Sequence, residues 1–235
     1  MAVRPPTIAV AVMSATLAAL TSIACGDSAE QARLKATTQA NYDRTTGKLT
    51  ELTYDRDKNG KIDTWVQMDG ATPVSARIDT DEDGIFDRWE YYEAGKLVRV
   101  EWERPQQPGP DGVKPPLTGK PNTISYLDAE GRVDHIDYFE TSNVTGQRGV
   151  VRREIYVDGK YARAEEDTDG DGLMDRFDTF DAEGHLKTSA FDDVKPYDGK
   201  PDKRFTYDAT GNLVLIETDP DGAGGYRKSV VPGKK

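Results

Sequence analysis

Seven glycines, at positions 47, 70, 95, 131, 159, 184 and 211, close short turns along this 235-residue chain, mostly 23 to 28 residues apart. Self-similarity at such a period marks a repeat architecture. Each turn is flanked by aromatic or aliphatic residues, as in Tyr91-Tyr92-Glu93-Ala94-Gly95-Lys96-Leu97. The segments between turns are rich in β-branched and aromatic residues, and some alternate, as in Leu97-Val98-Arg99-Val100-Glu101-Trp102. No long 3.6-residue periodicity follows Tyr42, so strands are favoured over helices. The chain is therefore expected to be all-β: a repeat array of antiparallel hairpins, about two strands per unit, forming an extended or curved meander sheet. A hydrophobic content of only 36% suits a thin core better than a compact globule.

A second pattern occupies the segments between hairpins. DRDKNGKIDTW from Asp55, DTDEDGIFDRW from Asp79 and DTDGDGLMDRF from Asp167 share one layout. Oxygen-bearing side chains stand at positions 1, 3, 5 and 9, with glycine at 6. A hard cation such as calcium takes about six to eight oxygens, and alternate residues of a tight loop can supply them if glycine permits the turn. The candidate ligands are Asp55, Asp57, Asn59 and Asp63 in the first loop. In the second they are Asp79, Asp81, Asp83 and Asp87, with the Ile85 carbonyl and Glu90 in reserve. In the third they are Asp167, Asp169, Asp171 and Asp175, with the Leu173 carbonyl and Asp178. Two further segments are degenerate. Glu217, Asp219 and Asp221 keep the first half of the pattern; Asp198, Gly199 and Asp202 keep the second, with Asp192 and Asp193 nearby. For both, a solvated turn is at least as good a reading.

The acidic loops resemble EF-hand and thrombospondin type 3 loops. They depart from the EF-hand at position 12, which is Val66, Glu90 and Asp178 in turn, and no helical pattern flanks them. The hairpin unit resembles the YD (Rhs) repeat family, most closely at Tyr207-Asp208-Ala209-Thr210-Gly211-Asn212-Leu213 and next at Tyr42-Asp43 to Leu49. That resemblance implies strand-rich hairpins. Seven units are too few to enclose a large chamber.

The N-terminus carries an address. Residues 1–24 hold one charge, Arg4, and an apolar run, and read as a secretory signal peptide. The sole cysteine, Cys25, follows directly, and Leu20-Thr21-Ser22-Ile23-Ala24-Cys25 resembles a bacterial lipobox, with Ser22 departing from the usual aliphatic residue. The resemblance implies a lipidated Cys25 as the mature N-terminus, and the alternative is ordinary cleavage that leaves a free thiol. Residues 25–41 read as a tether, 42–103 as a first repeat block, 104–121 as a proline-rich excursion and 122–231 as a second block. The expected location is the bacterial cell envelope, lipid-anchored in the outer membrane, with the membrane as one partner and a protein or polysaccharide as another.

Charge and chemistry narrow the function. The whole chain has a formal charge of −11, and loss of Arg4 with the leader makes it −12, which disfavours nucleic acid. The only histidines, His135 and His185, adjoin no serine motif or metal-ligand cluster, and neither a phosphate loop nor a nucleophile elbow is present. No enzymatic activity is expected, and a hydrolase using paired carboxylates is a distant third reading. The first is a calcium-binding envelope lipoprotein with a structural, adhesive or scaffolding role. The second is a carbohydrate- or protein-binding accessory module. Trp65, Trp89 and Trp102 fall in consecutive units, either as a ladder that packs the sheet or as an exposed binding face.

Overall fold

A computed structural model describes residues 37–105, 115–142, 144–194, 197–219 and 225–231. It contains fifteen strands: β1 (Thr38–Tyr42), β2 (Leu49–Tyr54), β3 (Thr64–Asp69), β4 (Thr72–Ile78), β5 (Arg88–Glu93), β6 (Lys96–Trp102), β7 (Thr123–Leu127), β8 (Val133–Thr141), β9 (Arg148–Val157), β10 (Lys160–Glu166), β11 (Arg176–Phe180), β12 (Leu186–Phe191), β13 (Lys203–Tyr207), β14 (Leu213–Thr218) and β15 (Arg227–Val230). They form one sheet in sequence order, each antiparallel to the next. Every substantial contact between elements joins consecutive strands, so the molecule is a quasi-one-dimensional stack. Strand β1 starts at Thr38, inside the segment expected to be tether.

A meander places its connections alternately at the two ends of its strands. All seven glycine turns therefore share one rim, and all the longer loops share the other. Two kinds of turn account for six of the seven on the first rim. Ala94-Gly95 and Asp158-Gly159 are two-residue connections with both residues at positive φ, the geometry that matches strand twist. In the Tyr-Asp type, the aspartate closes the turn. Asp43 Oδ1 accepts the amides of Thr45 and Thr46, and Asp208 Oδ1 accepts those of Thr210 and Asn212, both at 2.9 Å. Asp128 and Asp181 do the same, so the motif survives where Leu127 or Phe180 replaces the tyrosine. The residue before each of these aspartates pairs across the turn with an aliphatic one: Tyr42 with Leu49, Leu127 with Val133, Phe180 with Leu186, Tyr207 with Leu213. A register shift adjoins each pair, a bulge that increases twist.

Burial follows a line rather than a volume. Directly opposed residues share a face, so Val66, Ala76, Glu90, Val100, Ser125, Ile136, Glu154, Ala164, Asp178 and Ser189 form one row across the sheet. Its small members are deeply buried, with Ile136 at 2% exposure and Ala76 at 3%. Its acids are satisfied locally. Glu154 accepts the hydroxyls of Tyr138 and Tyr156, each at 3.1 Å, and Glu90 takes Arg88 and Tyr92. The opposite face uses charge as glue, with Arg153 forking onto buried Asp137 at 2.6 and 2.9 Å and Glu217 held between Arg204 and Lys228.

The three tryptophans do not form a ladder. Trp65 and Trp89 share a face with Arg77 between them, whereas Trp102 opposes Arg88 on the other face. All three are half-buried, Trp65 against Phe86 and Trp102 under the Arg88 guanidinium. The proline-rich excursion does not divide the sheet either. β6 and β7 pair directly, so the sheet runs on unbroken across it.

Candidate metal centre

The three acidic loops connect β2 to β3, β4 to β5 and β10 to β11, and all lie on the loop rim. Their backbones follow one path. Position 4, occupied by Lys58, Glu82 and Gly170, has φ of 66°, 60° and 78°. Position 6 has φ of 104°, 93° and 98° at Gly60, Gly84 and Gly172, and only glycine takes such values without strain. The position-6 amide donates to the position-1 carboxylate in each loop, at 2.7 Å to Asp55, 2.9 Å to Asp79 and 3.0 Å to Asp167. Position 9 receives the amide of position 2: Arg56 to Asp63, Thr80 to Asp87, Thr168 to Asp175. The side chain at position 5 accepts the amide two residues on, from Lys61, Ile85 and Leu173.

This folding gathers carboxylates. Oxygens of Asp55, Asp57 and Asp63 lie within 4.8 Å of one another, as do those of Asp79, Asp81 and Asp83, and of Asp167, Asp169 and Asp175. All come from the expected ligand sets. The second cluster carries a further signature. Asp79 is 8% exposed, and its Oδ1 is buried with no hydrogen-bond partner. A buried carboxylate oxygen left unpaired is costly, and a cation would satisfy it. Nearby, burial pushes the Asp87 carboxyl up, and repulsion from Asp81 and Asp79 adds to it against the Thr80 hydrogen bonds. The donor set is entirely oxygen, which suits calcium, and the residues present fit that ion.

Position 12 is a correction. Glu90 and Asp178 are not brought to the loops, because position 12 falls three residues into β5 and β11 and projects from the central row of the sheet. There Glu90 serves Arg88 and Tyr92, while Asp178 takes the Ser189 hydroxyl at 2.5 Å and Arg176 at 2.9 Å. Asn59 and Asp171 remain on their loops, Asn59 also reaching Glu82 of the next loop.

The loops are joined to one another. In four loops the amide of the first acid donates to the carbonyl of the preceding loop's last residue: Asp79 to Asp63 at 2.9 Å, Glu103 to Asp87 and Asp192 to Asp175 at 2.8 Å, Asp219 to Asp202 at 2.6 Å. Lys61 of the first loop pairs with Glu82 of the second at 2.6 Å. Sequence reasoning missed one member of this series. Glu103 stands at position 1 of the proline-rich loop, where Gly119 has φ of 73° and the Arg104 amide meets Asn122 as Arg56 meets Asp63. The intervening insertion hides the spacing.

His135 stacks on Tyr126 with centroids 4.3 Å apart, and His185 caps its turn through Asp181. Residues 1–24 and Cys25 lie outside the described residues, as does Asp221.

Comparison with protein-family profiles and with curated proteins finds no match. Among solved structures, the chain is similar to a TarM variant from S. aureus in complex with fondaparinux, alpha-GlcNAc-glycerol and UDP. That likeness covers 68% of this chain and 22% of the other, at 6% identity and a TM-score of 0.20. A second TarM structure gives 63% and 20% coverage at 7% identity and a TM-score of 0.19. A protein of unknown function from Bacteroides fragilis gives 84% and 94% at 10% identity and a TM-score of 0.12. This chain thus spans about a fifth of the TarM chains, and at these scores the likenesses carry no argument.

Proposed function

We propose that this chain is a calcium-binding lipoprotein of the bacterial cell envelope, with a structural, adhesive or scaffolding role. The observation that carries the proposal is the unpartnered, buried Oδ1 of Asp79 beside Asp81 and Asp83. A single-layer sheet with a thin apolar line has little hydrophobic burial to hold it, and cations bound along one rim supply what the core lacks. Extracellular calcium modules bind at about 0.1 to 1 mM, and tenfold excess over the dissociation constant adds roughly 1.4 kcal/mol per site. Three sites then supply about 4 kcal/mol, set against typical domain stabilities of about 5 to 15. Because the loops join strands and not helices, calcium acts as a staple and opens no groove.

The N-terminal reading rests on the sequence: acyl chains on Cys25 anchor the array to a membrane, at roughly 0.8 kcal/mol per buried methylene. Half-burial of Trp65, Trp89 and Trp102 favours the scaffold over an accessory module that binds through exposed aromatics. Thermal melts of the mature chain in millimolar calcium and in chelator test the metal, and fractionation of Cys25→Ala tests the anchor. Equal melting temperatures, or unchanged membrane association, would refute the respective half.

A further inference from the structure

We propose that the loop between β12 and β13 is a fourth divalent-cation site, built on the buried carboxylates of Asp192 and Asp202 with the carbonyl of Lys200. The proposal rests on the calcium reading of the three acidic loops and extends it to a loop that keeps only half of their spacing.

The frame is the same as in those loops. Gly199 has φ of 76° and its amide donates to Asp192 Oδ2 at 2.6 Å, as Gly84 donates to Asp79. Asp198 Oδ1 accepts the Lys200 amide at 3.0 Å, as Asp83 accepts that of Ile85. Asp202 follows the glycine by three residues, as Asp63, Asp87 and Asp175 do, and takes the Val194 amide at 2.9 Å. The difference is length: seven residues separate Asp192 from Gly199, against five from Asp79 to Gly84. Two inserted residues break the sequence pattern and leave the turn that follows intact.

The independent observation is again a stranded oxygen. Asp192 is 4% exposed, and its Oδ1 is buried without a hydrogen-bond partner; Asp202 is 7% exposed. Among the described residues, the Lys200 ammonium pairs with Asp198 and that of Lys203 with Asp193, which leaves Asp192 Oδ1 without either. The proline-rich loop shows what a closed version looks like. There both Glu103 oxygens are taken, Oε1 by the amide and hydroxyl of Thr118 and Oε2 by the Lys120 amide, and neutral Asn122 stands where Asp202 does here. Among the described residues of that loop, nothing calls for a cation. In the β12–β13 loop two buried carboxylates do, and all-oxygen donors select a hard divalent ion.

The test is a calcium titration of the mature protein followed by amide NMR, with Gly60, Gly84, Gly172 and Gly199 as reporters and calorimetric stoichiometry alongside. Four sites are expected, with Gly199 moving on addition of calcium. Asp192→Asn and, separately, Asp202→Asn should weaken the Gly199 response at least tenfold and leave Gly84 unaffected. Stoichiometry of three, with Gly84 responding and Gly199 silent, overturns the fourth site alone and points to a proton shared by Asp192 and Asp202. Silence at all four glycines overturns the calcium reading and this site with it.

Discussion

The backbone amide of Asp79 donates to the carbonyl of Asp63 at 2.9 Å, so the first candidate ligand of one acidic loop hangs from the last of the loop before it. Glu82 reinforces the joint by reaching back to Lys61 and Asn59. Ordering the first loop therefore fixes part of the frame of the second. The third loop has no such acidic predecessor, since Asp167 hangs from Val151.

Binding at the first two loops should accordingly be coupled. Asp57→Ala, which damages the first loop, is expected to weaken calcium binding at the second by about fivefold, the low end of ordinary coupling. The third loop should be unaffected. Amide shifts of Gly84 and Gly172 during a calcium titration report the two separately, and equal effects on both would refute coupling through the Asp63–Asp79 joint.

Asp79→Asn should change sign with conditions. In calcium it forfeits a ligand and roughly 1.4 kcal/mol at tenfold excess, about 3 to 6 °C in melting temperature for a chain of this size. In chelator the same substitution removes a buried, unpaired negative charge from beside Asp81 and Asp83, so the melting temperature should hold or rise. Calorimetry of both proteins in both buffers checks the crossing.

Turns and loops differed in how plainly the sequence announced them. A glycine at each hairpin and three unbroken acidic loops were readable because each needs a particular residue at a particular backbone angle. Two extra residues before Gly199 left the β12–β13 loop legible only as a degenerate half-pattern, and a long proline-rich insertion hid the Glu103–Asn122 frame. Faces were harder. Trp65, Trp89 and Trp102 look equivalent in sequence, but Trp102 lies one residue out of step, and strand parity sends it to the opposite side. Position 12 misled for the same reason, because the EF-hand resemblance carries a helix there and this chain has a strand.

Asp208 gives an acid-side test. Hydrogen bonds from the Thr210 hydroxyl and the Asn212 amide hold its carboxyl down at about 2, against an ordinary value near 3.8. A depressed folded value stabilises above the unfolded one and fades as the pH falls through the folded one. Asp208→Ala should therefore melt below wild type at pH 6, and the gap should close between about pH 4 and pH 2. A gap independent of pH over that range would show that the turn depends on shape and not on the charge.

Tyr161 gives the alkaline counterpart. Burial pushes its hydroxyl up to about 12, with Glu154 and Asp178 adding to the rise against Arg152. Tyr138 and Tyr156 are raised for the same first reason, burial, and by Glu154, whose carboxylate accepts both hydroxyls. A raised folded value means stability that is complete below pH 10 and is lost as the pH climbs toward 12, since the unfolded chain ionises first. The phenolate absorbance of these tyrosines should then appear together with loss of β-structure, not before it. Tyr161→Phe keeps the ring contacts with Tyr156 and Phe180 and removes one ionising group, so its alkaline transition should move upward. Phenolate signal that rises well below the unfolding transition would mean that the row around Glu154 is open to water.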